Sequence, residues 1–493
     1  MGTAPINWLS QLREEPKDHS INDMDLGAHE FTIFEIPTQF RQTTPAYFQL
    51  FRLQLGLQHR SLQQSELQRL KLQLARILDV KLKEDRASSW DAWVNLIVPN
   101  PERTQKLYEN PSGCTDPAVV QYQLALDSLF VVAFFQHKLL SDALDEFRVL
   151  FNNNGFQFAK LQSDFLQVEN QVPMEILKAM TVQLCDIHKK MPEIWEKHPH
   201  MTNQQVARGM LDKVLKKAVI YLHPFALPDK AGARVKWCFG GHENDKKVTW
   251  WSYLDENYPG GCADRSLSSC KHILDCVYRV VCGHPLPPKD DYYSRSQTVL
   301  RPMPSAMDLK SMGIVVASGA LSLRDVKLSG KGYFRNVKFH LPKLIVYDTT
   351  ALQIRNLAIY EHLANATCSD FRCYLKCMKY LTANIADVDL LRNHDVVYSY
   401  ASSEDALQIW DQTSKGTFII FPSKVWTQCF DGIHRHHKSW WKQWRAEGWS
   451  RFCSKPWLFI SLVGALVLLF LTFVQTWISV VNAPLTKWHF NWS

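Results

Sequence analysis

The sequence predicts a mainly α-helical protein with a small β-sheet region in its C-terminal half, an α+β class, followed by one C-terminal transmembrane helix. Three observations carry this. Apolar residues recur at helical spacing through the first half, strand-like alternation is confined to Gly313–Asp348, and Trp457 to Val481 contains no Lys, Arg, Asp, Glu or His.

Residues 1–30 read as a flexible N-terminus. Arg13, Glu14, Glu15, Lys17 and Asp18 fall where a secretory signal needs an apolar stretch, so the body is expected in the cytosol. Residues 31–284 read as a mainly helical part. Ser65 to Lys83 places Leu67, Leu70, Leu74, Ile77 and Leu78 on one helical face, with Glu66, Arg69, Lys71 and Arg76 mostly off it. Pro117 to Leu139 predicts a deeply buried helix rich in Leu126, Leu129, Phe130 and Ala133. Pro173 opens a third helix running toward Lys190, and Asn203 to Ile220 forms a fourth, ended near His223-Pro224.

From Leu227 to Pro304 glycines and prolines predict irregular chain around a single helix, Ser266 to Val281, with residues 285–304 as a linker. Residues 305–430 read as an α+β part. Ile314-Val315-Val316, the alternation Val337, Phe339, Leu341, and Leu344 to Tyr347 give the strands. Thr350 with Gln353 has the pattern of a capping box opening a helix to Leu363, and Ser402 or Ser403 precedes one through Trp410.

The anchor is the surest functional element. Its 25 residues, represented by Trp457, Leu458, Phe459, Ile460, Leu466, Phe470, Gln475, Trp477 and Val481, suffice to cross a bilayer with a hydrocarbon core of about 30 Å. The formal charge is +8, and most of it sits beside this span. Between His434 and Lys455 stand Arg435, Lys438, Lys442, Arg445, Arg451 and Lys455 against Glu447 alone, a local excess of +5. With Lys487 counted, residues 1–433 keep only +2, so nucleic acid is not an expected partner. Trp440, Trp441, Trp444 and Trp449 complete a basic and Trp-rich juxtamembrane segment, residues 431–456, suited to headgroups and anionic lipid. The positive-inside rule then places the body in the cytoplasm and the tail, residues 482–493, across the bilayer, which implies post-translational insertion. Which membrane is involved stays open. Thr472, Gln475 and Thr476 offer a face for self-association.

The chemistry-bearing motifs are mostly absent: no G-x-S-x-G elbow, phosphate-binding loop, dinucleotide fingerprint or H-E-x-x-H occurs. Cys238, His242, Cys262, Cys270, His272, Cys276, Cys282 and His284 are dense but lack paired zinc spacing, and read as buried thiols and histidines. The 12 cysteines fit reduced thiols better than a disulfide framework. No cofactor, metal or catalytic residue is assigned. His434, His436 and His437 read as part of the membrane-proximal segment.

Several segments together resemble the plant domain of unknown function 247 family over nearly the whole chain. These are Ile36-Pro37 with Pro45, Tyr47, Gly56 and His59; Leu126-Asp127-Ser128-Leu129-Phe130; Glu169-Asn170-Gln171-Val172-Pro173; Pro304-Ser305-Ala306 with Leu309 and Gly313-Ile314; Arg355-Asn356-Leu357 with Glu361; Asp387-Val388 with Leu390-Leu391; and Pro456-Trp457 with Gln475-Thr476. Gln49, Gln54, Leu57 and Ser128 depart from the family's pattern. The resemblance implies a single-span membrane protein without established enzymatic activity; some members are implicated in pollen recognition during grass self-incompatibility. Read as residues, Glu169, Asn170 and Gln171 are helix-entry hydrogen-bonding groups, Asn356 and Glu361 make separate structural bonds, and Asp387 starts a helix.

Two functions follow from different classes. The first is a membrane-tethered interaction, signalling or recognition module acting on protein partners. The second is an enzyme of unrecognised type at a membrane surface, which requires groups such as Glu169, Asp127 and His223 to converge.

Overall fold

The computed structural model describes residues 31–43, 48, 50, 53–58, 66–86, 88–111, 116–135, 158–188, 203–226, 250–258, 266–283, 302–330, 337–347, 349–364, 369–399, 402–414, 422–437 and 456–481. After a short helix, α1 (Thr38–Thr43), the leucine spacing produces α2 (Glu66–Arg86), which buries Leu67, Leu70, Leu74, Leu78 and Leu82 in one stripe. Lys71, expected off that face, is buried because its ammonium meets Asp127. Ser89 caps α3 (Trp90–Ile97), and Asn100 caps α4 (Pro101–Gln105), where Pro101 occupies a first-turn position that needs no N–H.

Helix α5 (Pro117–Phe135) is buried on every side from Leu124 to Ala133, so it carries no polar face. The expected continuation, residues 136–139, lies outside the described residues. Next come α6 (Phe158–Phe165), α7 (Met174–His188) and α8 (Asn203–Leu222), with α7 packed against both α5 and α8. Pro173 opens α7 as expected, its carbonyl accepting from the Ile176 and Leu177 N–H groups.

The glycine- and proline-rich stretch holds two helices among its described residues, not one. They are α9 (Trp250–Asn257) and α10 (Ile273–Cys282). The second starts at Ile273 and not at Ser266, because Ser266 caps a separate 3-10 turn and His272 Nδ1 accepts the Asp275 N–H at 3.2 Å to begin a new helix. Gly283 ends α10 at φ 79°, and a Cβ there would stand 2.6 Å from Ser322 Oγ. Of the expected linker, 285–304, only residues 302–304 are described.

The sheet follows α11 (Ala306–Ser311), which starts with a reciprocal Ser305–Asp308 capping box. Strands β2 (Ile314–Ala320), β3 (Lys327–Ser329) and β4 (Val337–Val346) lie in the predicted region, but β1 (Phe225–Ala226) and β5 (Val397–Ser399) join from either side of it. All pair with β4. Its first half lies between parallel β2 and antiparallel β3, and its second between antiparallel β1 and parallel β5. Pro342 lacks an N–H for the ladder, and β2 is bulged between Ser318 and Ala320 at that point. The intervening Gly319 is fixed by space, since a Cβ would stand 2.6 Å from His340 Nδ1.

Five body helices follow: α12 (Thr350–Leu363), α13 (Asp370–Leu381), α14 (Ile385–Asn393), α15 (Ser403–Ser414) and α16 (Lys424–His437). The bounds of α12 match expectation, but Thr350 is not its cap. Thr349 holds that position, while Thr350 Oγ1 accepts from Tyr347 N at 2.8 Å and donates to Ile345 O at 3.2 Å. Ser402 and Asp405 make the reciprocal bonds that open α15. One contiguous core runs from Ile33 to Ile433, so the helical part and the sheet part fold as one body. Last comes α17 (Pro456–Val481).

Candidate functional site

The polar motif between α6 and α7, Glu169-Asn170-Gln171, is a buried hub. Glu169 Oε1 accepts from Ile36 N at 2.7 Å and pairs with Arg41; burial pushes its carboxyl up, against the pull of the Ile36 N–H and Arg41. Asn170 spends its whole amide: Oδ1 accepts from Leu55 N at 2.5 Å, and Nδ2 donates to Leu53 O at 2.9 Å and Asp164 O at 2.8 Å. Gln171 donates to Phe165 O and Gln167 O, both at 2.7 Å, and accepts from Leu274 N at 3.2 Å. Asp164 accepts from Leu53 N at 2.8 Å, and Asp127 accepts from Gly56 N at 2.8 Å and Lys71 Nζ at 2.5 Å.

These bonds explain the motif. Residues 53–57 are buried without belonging to a helix or strand, so their backbone groups need partners that side chains supply. Gly56 fits here at φ 71°, where a Cβ would stand 2.5 Å from Gln171 O.

A second hub ties α10, α12 and α13. Glu361 accepts from Tyr278 Oη at 2.8 Å, Phe371 N at 2.8 Å, and Arg372 N and Nε at 3.0 Å each. Burial raises its carboxyl despite Arg372. Tyr360 Oη donates to Asp275 Oδ1 at 2.9 Å on the same interface. Asn356 faces elsewhere, donating to Leu352 O at 2.9 Å and accepting weakly from Val168 N at 3.4 Å. Asp387 completes a capping box with Asn384 and accepts from Met307 N at 2.7 Å, locking α14 to α11. Sequence reading did not find the Lys71, Arg372 and Tyr278 partners; apart from the uncommon Asp inside the apolar α5, no local signal marks them.

Glu169, Asp127 and His223 serve three separate backbone segments. Glu169 holds residue 36, Asp127 holds residue 56, and His223 Nδ1 accepts from Phe225 N at 3.1 Å. Burial lowers the His223 imidazole to about 4. Cys270, Cys276 and Cys282 are buried free thiols, and burial raises Cys270 and Cys282. His272 caps α10 and its Nε2 lies 3.0 Å from Thr32 O. Cys238, His242, Cys262 and His284 lie outside the described residues. Among the described residues no group of three or more His, Cys, Asp or Glu is placed to hold a metal ion.

A groove of about 600 Å³ lies where α11, α13 and α15 meet, lined by Met303, Asp308, Lys379, Tyr380, Leu407 and Trp410. The Trp410 indole N–H is buried without an acceptor among the described residues. This is a concavity of ligand size.

Two long apolar helices have opposite fates. In α5 the side chains are mostly buried in the body, whereas α17 exposes Trp457 by 80%, Phe470 by 66% and Trp477 by 63%. Ile460, Leu466 and Gln475 are exposed as well. The side chains of Leu458, Phe459 and Val481 lie outside the described set, and the unbroken described run, Val463–Ser479, is 17 residues. Thr472 and Thr476 hydroxyls bond back to Leu468 O at 2.7 Å and Thr472 O at 2.8 Å. Arg435 is exposed on α16, but residues 431–437 belong to that body-packed helix: Ile433 is buried and His436 Nε2 lies 2.8 Å from Met312 O. Lys438, Trp440, Trp441, Lys442, Trp444, Arg445, Arg451 and Lys455 lie outside the described residues.

The family described as DUF247, plant protein of unknown function, matches residues 33–471. The chain is also similar to the UPF0481 protein At3g47200 of Arabidopsis thaliana, 19% identical over 491 residues, covering 97% of this chain and 91% of that protein. No solved structure matches it.

Proposed function

We propose that this chain, which belongs to the DUF247 family of plant proteins of unknown function, is a membrane-tethered interaction and recognition module whose body engages protein partners from the cytoplasmic face. One observation supports the tether above all. Helix α17 has 26 residues, and nearly all of its described apolar side chains are exposed. At about 1.5 Å per residue it reaches roughly 39 Å, longer than a hydrocarbon core of about 30 Å. The two threonine hydroxyls already satisfied within the helix add no penalty for entering lipid. The basic, Trp-rich stretch before it supports the cytoplasmic side for the body.

A partner-binding body accords with polar hubs that stitch backbone together and with the absence of recognised catalytic motifs. The enzyme reading built on Glu169, Asp127 and His223 loses support, since each is engaged with a different backbone segment. The test is a fluorescent fusion of the full chain and of a chain lacking residues 454–493. The full chain should stay with membranes through alkaline carbonate extraction and the truncated chain should not; a full chain released by carbonate overturns the tether.

A further inference from the structure

The outer face of the sheet carries a cationic cluster with no acid beside it among the described residues. Across the β3–β4 ladder Lys327 stands opposite His340 and Ser329 opposite Lys338, so all four side chains share one face. Lys327 and Lys338 are exposed, and Ser329 Oγ lies 2.7 Å from His340 Nε2. Burial and the charges of Lys327 and Lys338 together hold the His340 imidazole below its ordinary range, and no carboxylate is among the groups acting on it. The neighbouring β2 positions, Val315 and Ala317, add no acid.

The opposite face is occupied. Helix α16 backs β3 closely, since a Cβ at Gly432 would stand 2.9 Å from Leu328 Cδ2, and Cys429 Sγ points to Val326 O at 3.8 Å. The last turn of α16 reaches the sheet end that bears Ser329 and Lys338: His436 meets Met312 O at 2.8 Å, and Val337 N donates to Gly313 O at 3.2 Å. From that end 18 residues, 438–455, lead to α17.

We propose that Lys327, Ser329, Lys338 and His340 form a second membrane contact that rests on the anionic headgroups of the bilayer holding α17. The face supplies two ammonium groups and hydrogen-bonding side chains matching lipid phosphate and carboxylate. An 18-residue connection limits the distance from α16 to the bilayer to roughly 60 Å at about 3.3 Å per residue. Tethering raises the effective concentration of lipid at the face, so individually weak contacts suffice. The proposal rests on the anchor reading, and the experiment separates the two.

The full chain is reconstituted into nanodiscs of phosphatidylcholine alone or with phosphatidylserine added, and surface lysines are acetylated and quantified by mass spectrometry. Co-elution with discs reports the anchor. Lys327 and Lys338 should label about two- to fivefold less in the anionic discs, with Lys83 and Lys379 unchanged, and about 1 M salt should restore the labelling. Equal labelling of Lys327 and Lys338 in both kinds of disc, from protein that co-elutes, overturns the docking face and leaves the anchor standing. Failure to co-elute overturns both. Equal protection by inorganic phosphate in phosphatidylcholine discs assigns the face to a free anion and overturns the lipid proposal.

Discussion

Replacing Lys71 by Met should destabilise the body strongly, because it strands a carboxylate. Lys71 is 1% and Asp127 0% exposed, and their ion pair is 2.5 Å long. Met keeps most of the aliphatic stem against Phe130, whose ring centroid lies 5.9 Å from the ammonium, so the change removes charge more than packing. Losing one partner of a buried pair costs about 3–5 kcal/mol. At about 2 °C per kcal/mol for a large domain, the melting midpoint should fall by roughly 6–10 °C.

The double variant Lys71→Met/Asp127→Asn should recover most of that loss, since a neutral amide oxygen still accepts the Gly56 N–H. Burial already raises the Asp127 carboxyl despite Lys71, so removing Lys71 favours its protonated form further. A carboxyl whose folded pKa exceeds its unfolded value favours folding when protonated. The Lys71→Met penalty should therefore be small below about pH 4, the ordinary aspartate value, and grow as pH rises through the elevated folded pKa. Thermal denaturation of the four chains of the double-mutant cycle measures this. A Lys71→Met chain as stable as the parent, or a double variant whose losses simply add, refutes the reasoning.

Asn170→Ala leaves the buried Leu55 N–H and the Leu53 and Asp164 carbonyls without their side-chain partner; a loss of about 3 kcal/mol or more is expected in the same assay. Gly56→Ala places a methyl 2.5 Å from Gln171 O at positive φ, which should cost about 2 kcal/mol or more and appear as a lowered midpoint. Burial lowers His223 and His272 to about 4. The unfolded chain therefore binds their protons first, and the contribution of these two histidines should be full above about pH 6.5 and fall as pH drops toward 4, by about 1.4 kcal/mol per pH unit per histidine. His272→Asn should flatten the midpoint-against-pH curve by one proton.

The long helices were legible because periodicity reports burial directly. Helices α2, α5, α7 and α8 start within a residue or two of the expected positions, and the strands of Gly313–Asp348 appear where β-branched residues gather. Short helices such as α3 and α4, whose caps and tertiary contacts dominate, were not read; of α14 only the start was, at Asp387. Helix α13 was also missed, although Phe371, Tyr374, Leu375, Met378 and Leu381 mark a buried stripe; its interleaved Arg372, Lys376 and Lys379 obscured it.

The sheet showed the limit of local reading more sharply. Two-residue β1 has no strand signal of its own and exists because β4 offers Lys343 and Leu344 as partners. The polar hubs were legible as motifs but not as a network. Lys71 and Asp127 are 56 residues apart and Gln171 and Leu274 are 103 apart, and pairings across such separations are decided by the folded core. The juxtamembrane boundary moved for a similar reason: Ile433 and His436 find partners in the body, so α16 carries residues 431–437 inward.

The central claim is that α17 crosses a membrane with the body on its cytoplasmic side. Glycosylation acceptor sites placed ahead of Met1 and after Ser493, in separate chains translated with microsomes, test it most directly. Glycan is expected on the C-terminal site alone. Glycan on the N-terminal site with an unmodified C-terminal site reverses the topology, and no glycan on either, from chains released by alkaline carbonate, contradicts the anchor itself.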